Sequence, residues 1–132
     1  LRNIHQFTSD DGLLYFTSFI PWAEMAGELP EGDWYEDHQA KLSDGSAALC
    51  KTKFSINRLR QTLSRRHQYT VTGSGKKKQH RSTQELQWYT YPELCLLLVS
   101  TGWKVKQLIT DLESGATPHP DAHMLTVIAE KI

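Results

Sequence analysis

Acidic residues are missing from the middle of this 132-residue chain: no Asp or Glu occurs between Asp44 and Glu85. Long apolar runs are missing too. No stretch of about 18 apolar residues could cross a bilayer as a helix, and no signal-peptide pattern opens the chain, so nothing is expected in a membrane. Cysteine is scarce: Cys50 and Cys95 are too few for a disulfide framework and suit two reduced thiols. A location inside the cell is expected, in cytoplasm or nucleoid, or in the nucleus of a eukaryote. The first residue is Leu1 rather than Met, which suggests a fragment of a longer chain.

Familiar catalytic spacings are also lacking. There is no Gly-x-Ser-x-Gly elbow, and Gly73-Ser-Gly-Lys-Lys77 has neither the spacer nor the following helix of a phosphate-binding loop. His119 and His123 stand four apart, but Pro120 intervenes and neither Glu nor Cys completes a ligand set. Glu31, Asp33, Glu36 and Asp37 have no paired base beside them and read as a solvated acidic surface. The expectation is a protein without catalytic residues, metal or cofactor.

What the chain has is positive charge in one place. Lys51, Lys53, Arg58, Arg60, Arg65, Arg66, Lys76, Lys77, Lys78 and Arg81 are 10 of its 15 Lys and Arg, although the formal net charge is zero. Residues 1 to 50 hold nine acids against Arg2 and Lys41, so charge is sorted along the chain. Within the basic stretch, Ile56, Leu59 and Leu63 fall on one side of a helical wheel, and Ser55 suits an N-cap. The opposite arc of a helix over 55–67 would carry Asn57, Arg58, Gln61, Ser64 and Arg65, the amide and guanidinium types that read base edges in a major groove. Residues 68–72 and 84–91 are rich in β-branched and aromatic residues and predict two antiparallel strands joined by a flexible basic tip over 73–83.

A recognition-type helix followed by a hairpin with a cationic tip resembles the winged-helix variant of the helix-turn-helix superfamily. The resemblance is one of architecture and covers roughly residues 13–91. It implies a non-enzymatic binder of double-stranded DNA, serving transcription control or DNA maintenance. Asn57, Arg58, Gln61, Ser64 and Arg65 would then read bases, while Lys51, Lys53, Arg60, Arg66, Lys76, Lys77, Lys78 and Arg81 would hold phosphates.

The remaining segments fill out an α+β, mainly helical protein. Leu13–Ile20 is an apolar run read as a strand, and Pro21–Ala26 suits a short helix stopped by Gly27. Residues 34–42 read as a short helix or extended arm, and 46–54 as a helix supporting the recognition helix. Thr90 and Glu93 have the capping-box spacing, predicting a helix from Pro92 to Val99 that Gly102 ends. Lys104–Glu113 and the segment up to Ile132 also show helical spacing. The expected organisation is a winged-helix-like core of three helices and a long hairpin over 1–91, then two or three helices over 92–132. Residues 92–114 form a rival helix-turn-helix offering Lys104, Lys106, Gln107 and Thr110. Two alternative functions follow: an interaction or homodimerisation module built on 92–132, or RNA binding through Tyr69, Trp88, Tyr89 and Tyr91 beside the basic hairpin.

Overall fold

A two-residue period outweighs the helical one along most of this chain. The computed structural model describes residues 1–73 and 75–132, without the side chain of Lys76. In chain order the elements are α1 (Arg2–Phe7), β1 (Leu13–Phe19), α2 (Trp22–Ala26), β2 (Tyr35–Lys41), β3 (Ala47–Asn57), β4 (Thr62–Gly73), β5 (Lys76–Gln87), α3 (Tyr91–Val99), β6 (Trp103–Thr110) and β7 (Met124–Lys131). They form two compact units, residues 1–22 with 88–132, and residues 23–87. No helix among the described residues is long and apolar enough to cross a membrane.

The first unit holds a three-stranded sheet in the order β1-β7-β6, antiparallel throughout. The central strand β7 is covered on both faces, and Leu125, Thr126, Val127 and Ala129 are all buried. A strand covered on both sides loses its polar alternation. Trp88, Leu94, Leu98 and Trp103 join that core, with Ile20 and Ala122. Helix α3 begins where the capping box predicts: the Thr90 N–H and hydroxyl both donate to Glu93 Oε2, at 2.7 and 2.8 Å. The expected strand over 13–20 and short helix over 21–26 also form.

The second unit is a meander of four long antiparallel strands in the order β2-β3-β4-β5. Cys50, Thr52 and Phe54 of β3 and Leu63 of β4 are its buried side chains along the strands. The β2–β3 turn passes through Gly45, whose φ of 82° lies in the left-handed region that glycine enters without penalty.

The mainly helical winged-helix core is therefore corrected to a two-sheet fold. In place of a helix over 55–67, Ser55–Asn57 finishes β3, residues 58–61 turn, and β4 starts at Thr62. Leu59, which completed the apparent helical stripe, sits on that turn with 95% of its surface exposed, whereas Leu63 is fully buried. Gln61 has a φ of 53°, which no right-handed helix can contain. The segment 46–54 is likewise strand β3, and 34–42 is extended as β2. The hairpin exists but has no long tip: β4 and β5 pair without interruption up to Gly73 opposite Lys76. After α3, the expected second and third helices are β6 and β7. Short apolar runs such as Val105–Ile109 and Leu125–Ile128 fit either period, and pairing with neighbouring strands decides.

Candidate active site

One face of the four-stranded sheet gathers the chemistry. Alternation along β3 puts Cys50, Thr52 and Phe54 on the same side, and along β4 it does so for Leu63, Arg65, His67 and Tyr69. Register then makes neighbours of residues far apart in sequence: Thr52 lies opposite His67, Phe54 opposite Arg65, Tyr35 opposite Thr52, and Gln84 opposite Arg65. A bulge between Glu36 and His38 breaks the β2 ladder at Asp37. Bulges re-aim side chains, and here the Asp37 carboxylate meets the Thr52 hydroxyl.

Two polar networks result. In the first, Thr52 donates to Asp37 Oδ2 at 2.7 Å and lies 3.0 Å from His67 Nδ1. Because the Thr52 proton goes to the carboxylate, its oxygen is left to accept from Nδ1–H. That assignment fixes the tautomer and leaves Nε2 of the neutral ring without a proton; Gln84 Oε1, 3.4 Å away, is itself an acceptor, so this contact becomes a hydrogen bond once Nε2 gains a proton. Asp37 Oδ1 is also approached by His38 Nε2 at 3.3 Å, and Cys50 Sγ lies 3.9 Å from His67 Nδ1. Thr52 is fully buried and Asp37 keeps 26% of its side chain exposed, so the chain of hydrogen bonds runs from the interior to solvent.

In the second network Arg65 grips Glu24, a residue of α2 only 5% exposed. The Arg65 Nε donates to Glu24 Oε1 at 3.1 Å and one terminal nitrogen makes a closer contact with the same oxygen. Arg58 reaches the same helix from the β3–β4 turn, donating to the Met25 and Glu24 carbonyls, each at 3.2 Å. These are carbonyls that a short helix leaves without partners of its own.

Between the networks is a pocket of about 410 Å³ lined by Glu24, Tyr35, Asp37, Arg65, His67, Tyr69 and Gln84 among others. Burial pushes the Tyr35 phenol above its ordinary value, and the Asp37 and Glu24 carboxylates add to the shift, so it is a neutral hydrogen-bond donor at neutral pH. The Tyr69 phenol is raised as well, first by desolvation. A larger hollow of about 680 Å³ beside Ala40, Ala48, Leu49 and Thr72 has no carboxylate or imidazole among its lining residues. The smaller pocket therefore has the reactive groups.

The side chains expected to read bases do not share one presentation surface. Asn57 accepts from the Arg60 N–H at 2.9 Å, Arg58 and Arg65 are held by α2, and Ser64 donates to Glu85 at 2.7 Å on the other face. Gln61 is in the strained turn. Among the residues expected to bind phosphate, Lys51 lies 3.9 Å from Glu36, and Lys53 stands directly opposite Arg66. Arg60 is on the turn, and Lys77, Lys78 and Arg81 are strand residues of β5. The Lys76 side chain lies outside the described residues. Sequence reasoning missed Glu24, Tyr35, Asp37, Cys50, Thr52 and His67. The patterns Cys50-x-Thr52-x-Phe54 and Arg65-x-His67-x-Tyr69 were the available signal, each an alternation of strand type.

No protein-family model matches the sequence, and no curated protein does. Solved structures do match its fold. An S-adenosylmethionine-dependent methyltransferase from Clostridium acetobutylicum superposes with a TM-score of 0.77 at 9% identity, over 98% of this chain and 48% of that one. The CcbJ methyltransferase from Streptomyces caelestis gives 0.69 at 18% identity, over 99% and 51%. CalS10, an amino pentose methyltransferase from Micromonospora echinaspora, gives 0.64 at 10% identity, over 99% and 48%. The chain thus spans about half the length of the structures it resembles.

This likeness overturns the winged-helix resemblance, and the non-enzymatic DNA-binding reading drawn from that resemblance falls with it. Double-stranded DNA loses its place as partner because the helix meant to enter the groove is a hairpin turn. RNA stacking loses Trp88, which is 1% exposed. The helical dimer or interaction surface over 92–132 is replaced by one helix and a β-hairpin.

Proposed function

We propose that this chain provides the substrate-holding part of a methyltransferase-type enzyme acting on a small polar molecule, with His67 as the proton acceptor. The observation that carries the reading is the Asp37–Thr52–His67 hydrogen-bond chain beside a half-open polar pocket. The fold likeness supports the reaction class, and the amino pentose substrate of CalS10 supports an amino sugar or similarly hydroxylated compound.

The described residues do not fit a nucleoside-type methyl donor. The strand-to-helix passages, Ile20-Pro21 and Trp88-Tyr89-Thr90, contain no glycine through which such a group could approach the backbone. Glycines whose added Cβ would be crowded, Gly12, Gly73 and Gly102, are crowded by Thr8, Ser46 and His5, so the protein's own side chains already fill those places. No step involving the donor is therefore assigned to this chain.

Its residues account for the acceptor side. A substrate ammonium or hydroxyl placed within hydrogen-bond reach of His67 Nε2 transfers its proton there as the nucleophile is used. The imidazolium that forms donates through Nδ1–H to Thr52, and the Thr52 hydroxyl donates to the Asp37 carboxylate, the logic of a base oriented and charge-balanced by a third group. Tyr35 and Gln84 offer further polar contacts to a hydroxylated ring, and the Tyr69 ring offers it an apolar face.

The test is binding of a panel of amino sugars by this chain, and label transfer to them from S-adenosylmethionine once it is combined with the donor-binding part of such an enzyme, with His67→Gln as the variant. Loss of a positioned base predicts kcat lower by about 10²- to 10⁴-fold with KM little changed. An unchanged kcat removes His67 from the role. Absence of transfer to, and of binding by, every compound in the panel removes the substrate class.

A further inference from the structure

Asp37, Cys50 and His67 each offer one ligand atom, and these three atoms lie within 4.8 Å of one another. We infer that they form a binding site for a thiophilic divalent cation of the zinc class, held by the Asp37 carboxylate, the Cys50 thiolate and His67 Nδ1.

Geometry and donor chemistry agree on this. A tetrahedral zinc ion with bonds of about 2.0–2.3 Å sets its ligand atoms roughly 3.4–3.6 Å apart. The separation of 3.9 Å between Cys50 Sγ and His67 Nδ1 is a few tenths of an ångström from that range, and with no pair beyond 4.8 Å the ligands need close in by no more than about 1.4 Å to coordinate one ion. One sulfur, one imidazole and one carboxylate select zinc over magnesium or calcium, which take oxygen ligands. Three protein ligands beside a pocket leave a fourth position for water or a small molecule, the arrangement of an open rather than a closed zinc site.

The surroundings hold the ligands in place. His67 Nε2–H can donate to Gln84 Oε1 at 3.4 Å while Nδ1 coordinates, and His38 Nε2 lies 3.3 Å from Asp37 Oδ1, so two ligands have the outer partners that orient metal-bound side chains. Cys50 is 6% exposed and comes from the same strand as Thr52, two residues away, which fixes its direction. The ion replaces the Thr52 hydroxyl as the link between Asp37 Oδ2 and His67 Nδ1. Binding requires Cys50 to lose its thiol proton, which passes to solvent, so one proton is released per ion bound from this residue.

Metal binding does not depend on the methyltransferase reading. If that reading is right, the occupied site has a consequence for it: with Nδ1 on the metal, Nε2 carries the remaining proton and cannot accept another.

Cobalt(II) titration of the intact protein tests the site directly, because thiolate coordination gives a charge-transfer band in the near ultraviolet and a tetrahedral ion gives visible bands. Both should appear at one ion per chain, persist in Cys95→Ala, vanish in Cys50→Ala, and require at least about tenfold more cobalt in His67→Gln or Asp37→Asn. X-ray absorption of the zinc-loaded wild type provides a second readout that needs no variant to fold: one sulfur neighbour at about 2.3 Å is expected. No charge-transfer band in Cys95→Ala, a band surviving in folded Cys50→Ala, or a zinc shell of nitrogen and oxygen alone each overturns the assignment.

Discussion

The two sheets of this protein are both antiparallel, but they fill their interiors with different chemistry. In the β1-β7-β6 sheet the buried strand residues are Leu125, Val127, Ala129 and Trp103, and the polar exceptions are Thr110 and Thr126. Thr126 is satisfied by Thr17 of the neighbouring strand at 3.1 Å. In the unit of the β2-β3-β4-β5 sheet, Glu24 of α2 and Thr52 of β3 are buried beside Cys50, Phe54 and Leu63, and they are tied to Arg65, Asp37 and His67. A buried polar group costs about 1–3 kcal/mol when unpaired and returns little net stability when paired. An apolar filling would have been the easier way to hold the second sheet. Its polar one is best understood as serving the pocket, while the first sheet serves as scaffold.

Deletions on each side sharpen that contrast. Glu24→Ala removes the carboxylate that the Arg65 guanidinium grips, and breaking a buried ion pair from one side costs about 3–5 kcal/mol. Because the Arg65 side chain is 26% exposed, the lower end of that range is expected in chemical denaturation. The paired change Glu24→Leu with Arg65→Met should recover most of the loss, since both charges leave together. Leu98→Ala in the first unit should cost a comparable amount, about 2–5 kcal/mol, with no second substitution to restore it. If Glu24→Ala costs under about 1 kcal/mol, the contrast between the sheets does not hold.

A smaller effect tests how tightly the scaffold is closed. Gly102 joins α3 to β6 at a φ of 87°, and a Cβ added there would meet the His5 imidazole at 2.5 Å. That imidazole stacks edge-to-face on Trp103, with centroids 5.4 Å apart. Gly102→Ala should therefore lose about 1–3 kcal/mol from backbone strain alone, with steric crowding added. Introducing His5→Ala beside it should return only the steric part. Full recovery in the double variant would mean that the backbone at this turn is not strained.

These same elements show what could be read from the sequence. The capped helix α3 was legible because Thr90 and Glu93 satisfy each other locally, and β1 was legible from its aromatic content. The β4–β5 hairpin was legible as a pairing, though not in its length. The β3–β4 hairpin was not legible, because Ile56, Leu59 and Leu63 mimic a helical stripe while Leu59 sits on a turn. Pairing of β3 with β4 over eleven positions overrides that local signal, and no single window of sequence contains it. The site was hidden for the same reason. Glu24 and Arg65 are 41 residues apart, and Asp37 and Thr52 are 15 apart, so the packing of α2 and the bulge in β2, not any local window, make them neighbours. Charge counting drew attention to Arg58 and Arg65 as base-reading side chains, whereas both donate to α2.

The smallest expected effect concerns the β2–β3 turn of the polar sheet. Asp44 accepts from the Ser46 hydroxyl at 2.5 Å and the Ser46 N–H at 2.9 Å, and these bonds, the hydroxyl first, lower its pKa below the ordinary carboxylate value. A carboxylate whose folded pKa is depressed contributes stability above its unfolded pKa and loses it as pH falls through the folded one. The contribution of Asp44 should therefore be constant at neutral pH, begin to fall near the ordinary carboxylate value of about 4, and be lost as pH drops through the depressed folded value. Asp44→Asn keeps an acceptor but cannot ionise, so its stability relative to wild type should be slightly lower at pH 7 and converge with it in acid. Thermal unfolding at pH 7 and pH 3 measures the difference. A gap that stays constant between those pH values would mean that the charge of Asp44 does not matter to the turn, and that the polar character of this sheet is confined to the pocket rather than extending to its edge.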